Sequence, residues 1–220
     1  MNFLGDNDFK VISKLSNIDC VLRDRNVKLE TSQAYFALPY FQTKNSLFDL
    51  DQYIKFIKKI ETIVRTHPDY KGYIALLLDK GLGNCSILGN INKENAEVEM
   101  HHGPIFTLYD ICSIITDHLM RVQGSCSSFE VAEVVLDEHY QNRIQVVFLS
   151  ETVHQLTHTT NQFISMKQAY GDLNAFLTKY KEDISDSQKN IINRYLDLAE
   201  KYETDYSEVL KLRDTIKTFH

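Results

Sequence analysis

Tryptophan is absent from this sequence, and proline and glycine are scarce. With 3 prolines and 8 glycines in 220 residues, collagen-like, low-complexity and linker-dominated chains are excluded, and no repeat indicates a solenoid. An excess of positive charge is missing too, because 24 Lys and Arg face 30 Asp and Glu, for a net charge of -6. Binding to nucleic acid by bulk charge is therefore excluded, and any DNA contact must be local.

Long hydrophobic runs are also missing. Residues 1–22 include Asp6, Asp8 and Lys10 and do not resemble a signal peptide. The longest apolar run, residues 74–78, is too short to span a bilayer, so no membrane partner is expected. The four cysteines have no CxxC spacing, which favours reduced, buried thiols over a disulfide framework. We therefore expect a cytoplasmic protein, in the host cytoplasm if a phage encodes it.

Hydrophobic residues make up 43% of the chain, enough for one sizeable core or two small ones. Residues 1–45 show no dominant period and are expected to be strand-rich or irregular. From Ser46 apolar residues recur at helical spacing. Ser46 and Asp49 can cap the N-terminus of a helix, and His67 and Pro68 end the apolar pattern. Together with the spacing, these signals predict a helix. The other face of this helix is basic, which is typical of a solvated surface but could also contact phosphates.

Three short strands are expected next, over residues 73–78, 85–88 and 97–101. Residues 80–84 would form the turn between the first two strands. The Gly-Leu-Gly sequence in this turn lacks the strand-to-helix setting of a phosphate loop, and we interpret it as turn chemistry.

The remaining chain is expected to be mainly helical. Helices are predicted over 109–120 and 129–140, with a break around Gly124. A β-rich run at 144–149 then precedes Ser150, which is placed to cap a further helix, and helices follow from Phe163 onward.

Half of the eight histidines fall into two tight groups, His101 with His102 and His154 with His158. On a helix, His154 and His158 lie one turn apart on one face, where two imidazoles can bind one metal ion. Adjacent strand residues point to opposite faces, so one of His101 and His102 can join the metal while the other ring is left to accept a proton from water. The alternative is a set of histidines satisfied by ordinary hydrogen bonds.

Two other histidine patterns carry no catalytic prediction. The run HQLTH at 154–158 excludes a zinc peptidase, because the HExxH motif needs Glu where Gln155 stands. The side chains of Asp137, Glu138 and His139 diverge on a helix, and we expect them on a solvated surface. His67, His118, His139 and His220 are expected to be structural.

The residues Glu99-Met100-His101-His102, the run from Gln145 to His154, and His158 together resemble the HNH, or ββα-metal, nucleases. The pattern is similar to that of the colicin DNases, and phage-encoded HNH proteins are similar as well. The resemblance covers about residues 97–104 and 144–160.

The resemblance implies a single divalent metal site. Its ligands would be His101, His154 and His158, and Glu99 would support them as an outer residue. Three imidazoles suit Zn, Ni or another borderline transition ion better than Mg, although Mn or Mg are also considered.

The resemblance also implies a catalytic role for His102, which as general base would deprotonate a water for in-line attack on a phosphodiester. Gln145 stands where the family has the Asn that holds the loop bearing the base. Gln is one methylene longer, and a displacement of about 1 Å can cost roughly a hundredfold in rate. The motif would also have to accept residues 103–143 as an insertion, which loop-closure entropy permits.

These features predict an α+β fold: a small antiparallel sheet with a ββα-metal motif, a long helical insertion, and C-terminal helices. Residues 1–165 would form the α+β domain and residues 166–220 the helical region. The expected function is a phage-encoded, metal-dependent HNH-like endonuclease that acts on DNA through a local site. The alternatives are a non-catalytic, metal-stapled adaptor or DNA-associated protein, and an interaction module that binds no ion. A protein partner or second copy is expected at the C-terminal helices.

Overall fold

The computed structural model describes residues 41–43, 50–158 and 162–219, with the side chains of 41–43 and of His158 outside that part. The predictions for residues 1–40, Ser46, Asp49 and His220 also lie outside it. In chain order the elements are β1 (Phe41–Thr43), α1 (Leu50–Thr66), α2 (Pro68–Asp79), β2 (Val98–His102), α3 (Leu108–Gln123), β3 (Ser125–Ser127), α4 (Ser128–Tyr140), β4 (Val146–Ser150), α5 (Glu151–His158), α6 (Leu173–Tyr180), α7 (Asp186–Tyr202) and α8 (Ser207–Ile216), with 3-10 turns at Met166–Gln168 and Lys181–Asp183. The α+β class is confirmed.

Helix α1 forms as the periodicity predicts. Phe56, Ile57, Ile60 and Val64 repeat at helical spacing and are buried, so one stripe of the helix packs against α3 and α4. The helix ends at Thr66, directly before the His-Pro pair that was expected to stop it.

Helix α2 replaces the strand that was expected at residues 73–78, so that prediction is wrong. The side chain of His67 accepts a hydrogen bond from the backbone N–H of Asp69, and a proline occupies the first turn. Both features start a helix. Tyr73 and Leu77, one turn apart, are buried, because the apolar run supplies the inner face of a helix.

The prediction of a strand at residues 85–88 is also wrong, because the chain there forms turns. The N–H of Cys85 donates to the carbonyl of Ile91, and the N–H of Gly89 donates to the carbonyl of Cys85, each at 2.7 Å. These bonds close a compact loop in place of a ladder. The thiols of Cys85, Cys112 and Cys126 are free and buried, as expected.

Helices α3 and α4 are confirmed, and their ends show why they form. Thr107 and Asp110 make a capping box at the start of α3, and Ser127 and Glu130 make another at the start of α4. Gly124 ends α3 in the left-handed conformation at φ 81°, which glycine adopts without steric cost.

Two antiparallel strand pairs are present in the described ranges, β1 with β3 and β2 with β4. In the second pair, His101 lies opposite Val147 and His102 opposite Val146. The far edge of β4 bonds to Tyr170, because Val146 and Tyr170 exchange two backbone hydrogen bonds of 2.8 Å. Helix α5 follows β4 directly and packs on both strands, while α3 and α4 form the insertion between β2 and β4.

The main hydrophobic core extends from Phe56 on α1 to Leu212 on α8. It therefore includes residues on both sides of position 165, where a boundary was predicted, and that boundary stays a prediction. Within the described ranges, no helix combines the length and the apolar character needed to cross a membrane.

The prediction that residues 137–139 lie on a solvated surface is wrong for Glu138 and His139. Glu138 and His139 are 1% and 0% exposed. The Glu138 carboxylate accepts hydrogen bonds from Arg143, Lys179 and Tyr180. Burial raises the pKa of Glu138, but these bonds outweigh it and hold the pKa below its ordinary value, because a charged acceptor with several donors stays ionised.

Gly171→Ala is expected to lower the free energy of unfolding by about 3 kcal/mol or more. Gly171 has φ +119°, and a Cβ there would lie 2.2 Å from the carbonyl oxygen of Ile144. Gly81→Ala is the matched control, since φ is +81° but nothing lies within 4 Å, so only the backbone penalty of about 1–2 kcal/mol remains. Urea unfolding measures both variants, and equal losses would show that the close approach at Gly171 is unimportant.

Candidate functional site

The outward face of the β2–β4 pair carries the first group of predicted site residues. Glu99 and His101 are two residues apart on β2 and therefore share a face, and α5 brings His154 to it. The rings of His101 and His154 lie 4.8 Å apart between centroids, at an interplanar angle of 67°. The Oε2 atom of Glu99 lies 3.0 Å from Nδ1 of His154. The structure thus brings these three side chains together.

The contact with Glu99 determines which nitrogen of His154 carries the hydrogen. Because a carboxylate only accepts, Nδ1 of His154 donates, and the neutral ring then has its lone pair on Nε2. A carboxylate behind an imidazole is the usual arrangement around a metal-binding histidine. Two imidazoles on one tetrahedral zinc ion place their ring centres roughly 5 Å apart, which is close to the separation of His101 and His154. The donor chemistry therefore fits a transition ion.

The third predicted ligand cannot be placed, because the side chain of His158 lies outside the described residues. Across the ranges that are described, no group of three or more His, Cys, Asp or Glu side chains is arranged to hold a metal ion. The set of three imidazole ligands stays a prediction.

His102, the predicted general base, lies on the opposite face of β2, in the protein interior. Its side chain is 4% exposed, and its Nε2 lies 2.9 Å from Nε2 of His139. Nδ1 of His139 lies 2.7 Å from the carbonyl of Val135 and must donate to it. His139 therefore accepts through Nε2, and His102 donates.

The buried pair is neutral at pH 7. Burial is the main cause that lowers the pKa of His102 well below 6.5, and repulsion between two protonated rings acts in the same direction. Burial also lowers the pKa of His139, to about 4. Tyr70 stacks on His102 with ring centroids 6.1 Å apart. The ring of His102 is therefore buried, whereas a base that takes a proton from water was expected to face solvent. No sequence spacing identifies His139 as its partner.

Gln145, expected to hold the loop after His102 through its side chain, makes that connection through its backbone. Its carbonyl accepts a hydrogen bond of 3.3 Å from the N–H of Gly103. The side chain is buried, 7% exposed, and its Oε1 atom accepts no hydrogen bond from the described residues. The position of the loop is therefore independent of that amide oxygen.

The chain belongs to the family of bacteriophage G278-like virion proteins, whose family model matches residues 7–217. Comparisons with curated proteins and with solved structures gave no match. Membership in this family overturns the resemblance to the HNH nucleases, and the endonuclease function drawn from that resemblance is wrong. A short pattern of histidines can occur in unrelated proteins wherever a strand packs against a helix, so the pattern alone does not identify a nuclease. The expectation of a phage protein is confirmed.

His139 is expected to make the protein acid-sensitive. Its pKa is depressed in the folded state, so between pH 6.5 and about 4 the unfolded chain binds a proton that the folded chain does not. Stability is then present above pH 6.5 and is lost as the pH falls, by roughly 2–3 kcal/mol from this group.

Urea unfolding between pH 7 and pH 4 tests this expectation on wild type and His139→Gln, which cannot titrate but can still accept from His102. The variant should lose less stability on acidification. His67→Asn, at an exposed helix cap, is the matched control and should follow the wild type. An unchanged pH dependence in His139→Gln would contradict the assignment.

Proposed function

We propose that this chain is a structural component of the phage particle. The observation that carries the proposal is the family match over residues 7–217, because the family is described as virion proteins. The same observation favours the particle over the host cytoplasm as the location of the protein.

Buried polar links between distant elements support a building block of fixed shape. The Asp183 carboxylate accepts from Nε of Arg121 at 2.7 Å and lies 2.8 Å from Nδ1 of His118, which joins α3 to the turn before α7. Glu138 likewise joins α4 to α6 through Lys179. The carboxylates of Asp183 and Glu138 are 2% and 1% exposed, so their burial depends on these partners staying in place, and each link favours a single packing arrangement.

The C-terminal helices offer a surface for contacts with other subunits. Leu198 and Tyr202 on α7 and Leu210 on α8 are exposed to 39%, 62% and 55%. Apolar surface is the usual material of protein contacts, and we propose these helices as the surface for a protein partner or a second copy. A local contact with DNA stays a prediction, and the exposed Lys55, Lys58 and Arg65 on α1 are where it would be sought.

A particle component is expected to remain with purified virions. Quantitative mass spectrometry of density-gradient-purified particles, before and after a high-salt wash, should find this chain at a constant ratio to the other particle proteins. A host ribosomal protein serves as the control for contamination and should decrease with purification. Recovery of the chain only in the soluble lysate, with particles free of it, would overturn the structural role.

The Glu99, His101 and His154 cluster supports a further part of the proposal, that one divalent transition ion links β2 to α5. Nε2 of His154 and the ring of His101 would hold the ion, with His158 as the predicted third ligand, and Glu99 would orient His154. In a particle protein such an ion would act as a structural link between strand and helix.

Equilibrium dialysis against Zn and Ni, followed by elemental analysis, tests the metal site. About one ion per chain is expected for wild type, with loss in His101→Ala and in His154→Ala. Glu99→Gln should weaken binding by roughly 10–100-fold. His67→Asn is the control and should bind as wild type does. Equal retention in all variants, or none in wild type, would rule out the site.

A further inference from the structure

The hydrogen bonds of β4 show which backbone groups of β2 point away from the sheet. Val146 exchanges two bonds with Tyr170, on the side of β4 that lies away from β2. The carbonyl of Phe148 accepts from the N–H of Ser86 on that same side. Backbone groups alternate in direction along an antiparallel strand. The residues of β2 that lie opposite this set therefore direct their own N–H and C=O groups outward, and they are Val98, Met100 and His102.

These three residues form the outer edge of β2, which is unpaired within the described part of the chain. Their side chains point into the core, so Val98 and His102 are 4% exposed, and Met100 is partly exposed. The strand contains neither proline nor lysine, and its register with β4 runs unbroken over 5 residues. An edge without these protections is a template for a further strand.

A second copy of the same strand fits the outer edge. Two β2 strands related by a two-fold axis at Met100 run antiparallel. Val98 of one copy then lies opposite His102 of the second copy, and Met100 lies opposite Met100, so every outward N–H and C=O group is paired. An axis at His101 would instead place Pro104, which has no N–H, opposite Val98.

The charges on the solvent-facing side of β2 favour the same register. Glu99 of each copy lies opposite His101 of the other, in the non-hydrogen-bonded positions where facing side chains are closest. Among the described residues, only Oε2 of Glu99 is hydrogen-bonded, to His154, and the side chain is 49% exposed. Oε1 can therefore accept from an imidazole N–H. An axis at Glu99 would place two carboxylates face to face, which is unfavourable.

We propose that the outer edge of β2 binds β2 of a second copy of this chain. The two-stranded sheets then join into one antiparallel sheet in the order β4, β2, β2, β4, and the two-fold axis closes the assembly as a dimer. This interface is separate from the exposed apolar side chains of α7 and α8, and the proposed particle role does not require it. A short strand pair buries less area than a standard interface, so we expect dissociation in the micromolar range.

Sedimentation equilibrium of the full chain, in EDTA and across the micromolar range, measures the association without metal bridges. Wild type should dimerise. Met100→Pro removes an outward N–H that makes no bond to β4, and it should weaken the dimer by about tenfold or more. Met100→Ala is the matched control, because it loses the same side chain but keeps the N–H, and it should dimerise nearly as wild type does. A monomeric wild type, or equal association of the two variants, would overturn the proposal.

Hydrogen exchange followed by NMR tests which surface is buried in the dimer. The amides of Val98, Met100 and His102 should exchange rapidly in dilute, monomeric protein and should be protected in concentrated, dimeric protein. Protection of these amides in the monomer would assign the edge to another segment of the same chain and would overturn the proposal. Exchange that does not change with concentration would overturn it as well.

Charge exchange tests the register with the backbone intact. Glu99→Lys places a cation opposite His101, and His101→Glu places two carboxylates opposite each other, so each variant alone should dimerise more weakly than wild type. An equimolar mixture of the two should form a heterodimer, because the introduced lysine then faces the introduced glutamate and the remaining histidine faces the remaining glutamate. A mixture that associates no better than either variant alone would contradict the pairing.

Discussion

The antiparallel pairing of β2 with β4 is the constraint on which the rest of the structure depends. Because side chains alternate along a strand, this one register sends His101 toward α5 and His102 into the core. A shift by one residue would exchange their surroundings. The ring of His102 would then face solvent, and the ring of His101 would face the apolar interior. The bridge between Val146 and Tyr170 extends the pairing to a third segment, so the start of α6 is positioned from the same strand.

Most of the buried charged and histidine side chains described above have hydrogen-bond partners in the interior. Three side chains donate hydrogen bonds to the Glu138 carboxylate, and the Asp183 carboxylate contacts the side chains of Arg121 and His118. His102 and His139 satisfy each other in their neutral forms. Gln145 is different, since its Oε1 has no donor in the described residues. Ion pairing and tautomer choice are thus two solutions to burial within one core, and the Gln145 oxygen has neither.

Much of the local structure could be predicted from the sequence, because local signals determine it. The break at Gly124 and the strand that ends at Ser150 follow from turn chemistry and side-chain periodicity. Residues 73–78 show the limit, since a short apolar run is compatible with either a strand or one face of a helix. Here a cap at His67, outside the run, favours the helix.

The buried charges and the function could not be predicted in the same way. Arg143, five residues away, donates to Glu138, but Lys179 and Tyr180 lie about 40 residues further along the chain. No window around residue 138 contains those two partners. The histidine pattern correctly indicated proximity between β2 and α5, but proximity of imidazoles is shared by proteins of many functions. Membership in the virion protein family came only from the match along nearly the whole chain.

The insertion of α3 and α4 between β2 and β4 also determines an order of assembly during synthesis. When β2 leaves the ribosome its partner strand has not been made, and two helices must be translated before the pair can close. Those helices have their own capping boxes and can form early from local contacts, which shortens the distance between the strand ends. Nascent chains interrupted within α4 would therefore expose an unmatched β2 edge, which favours association between incomplete chains.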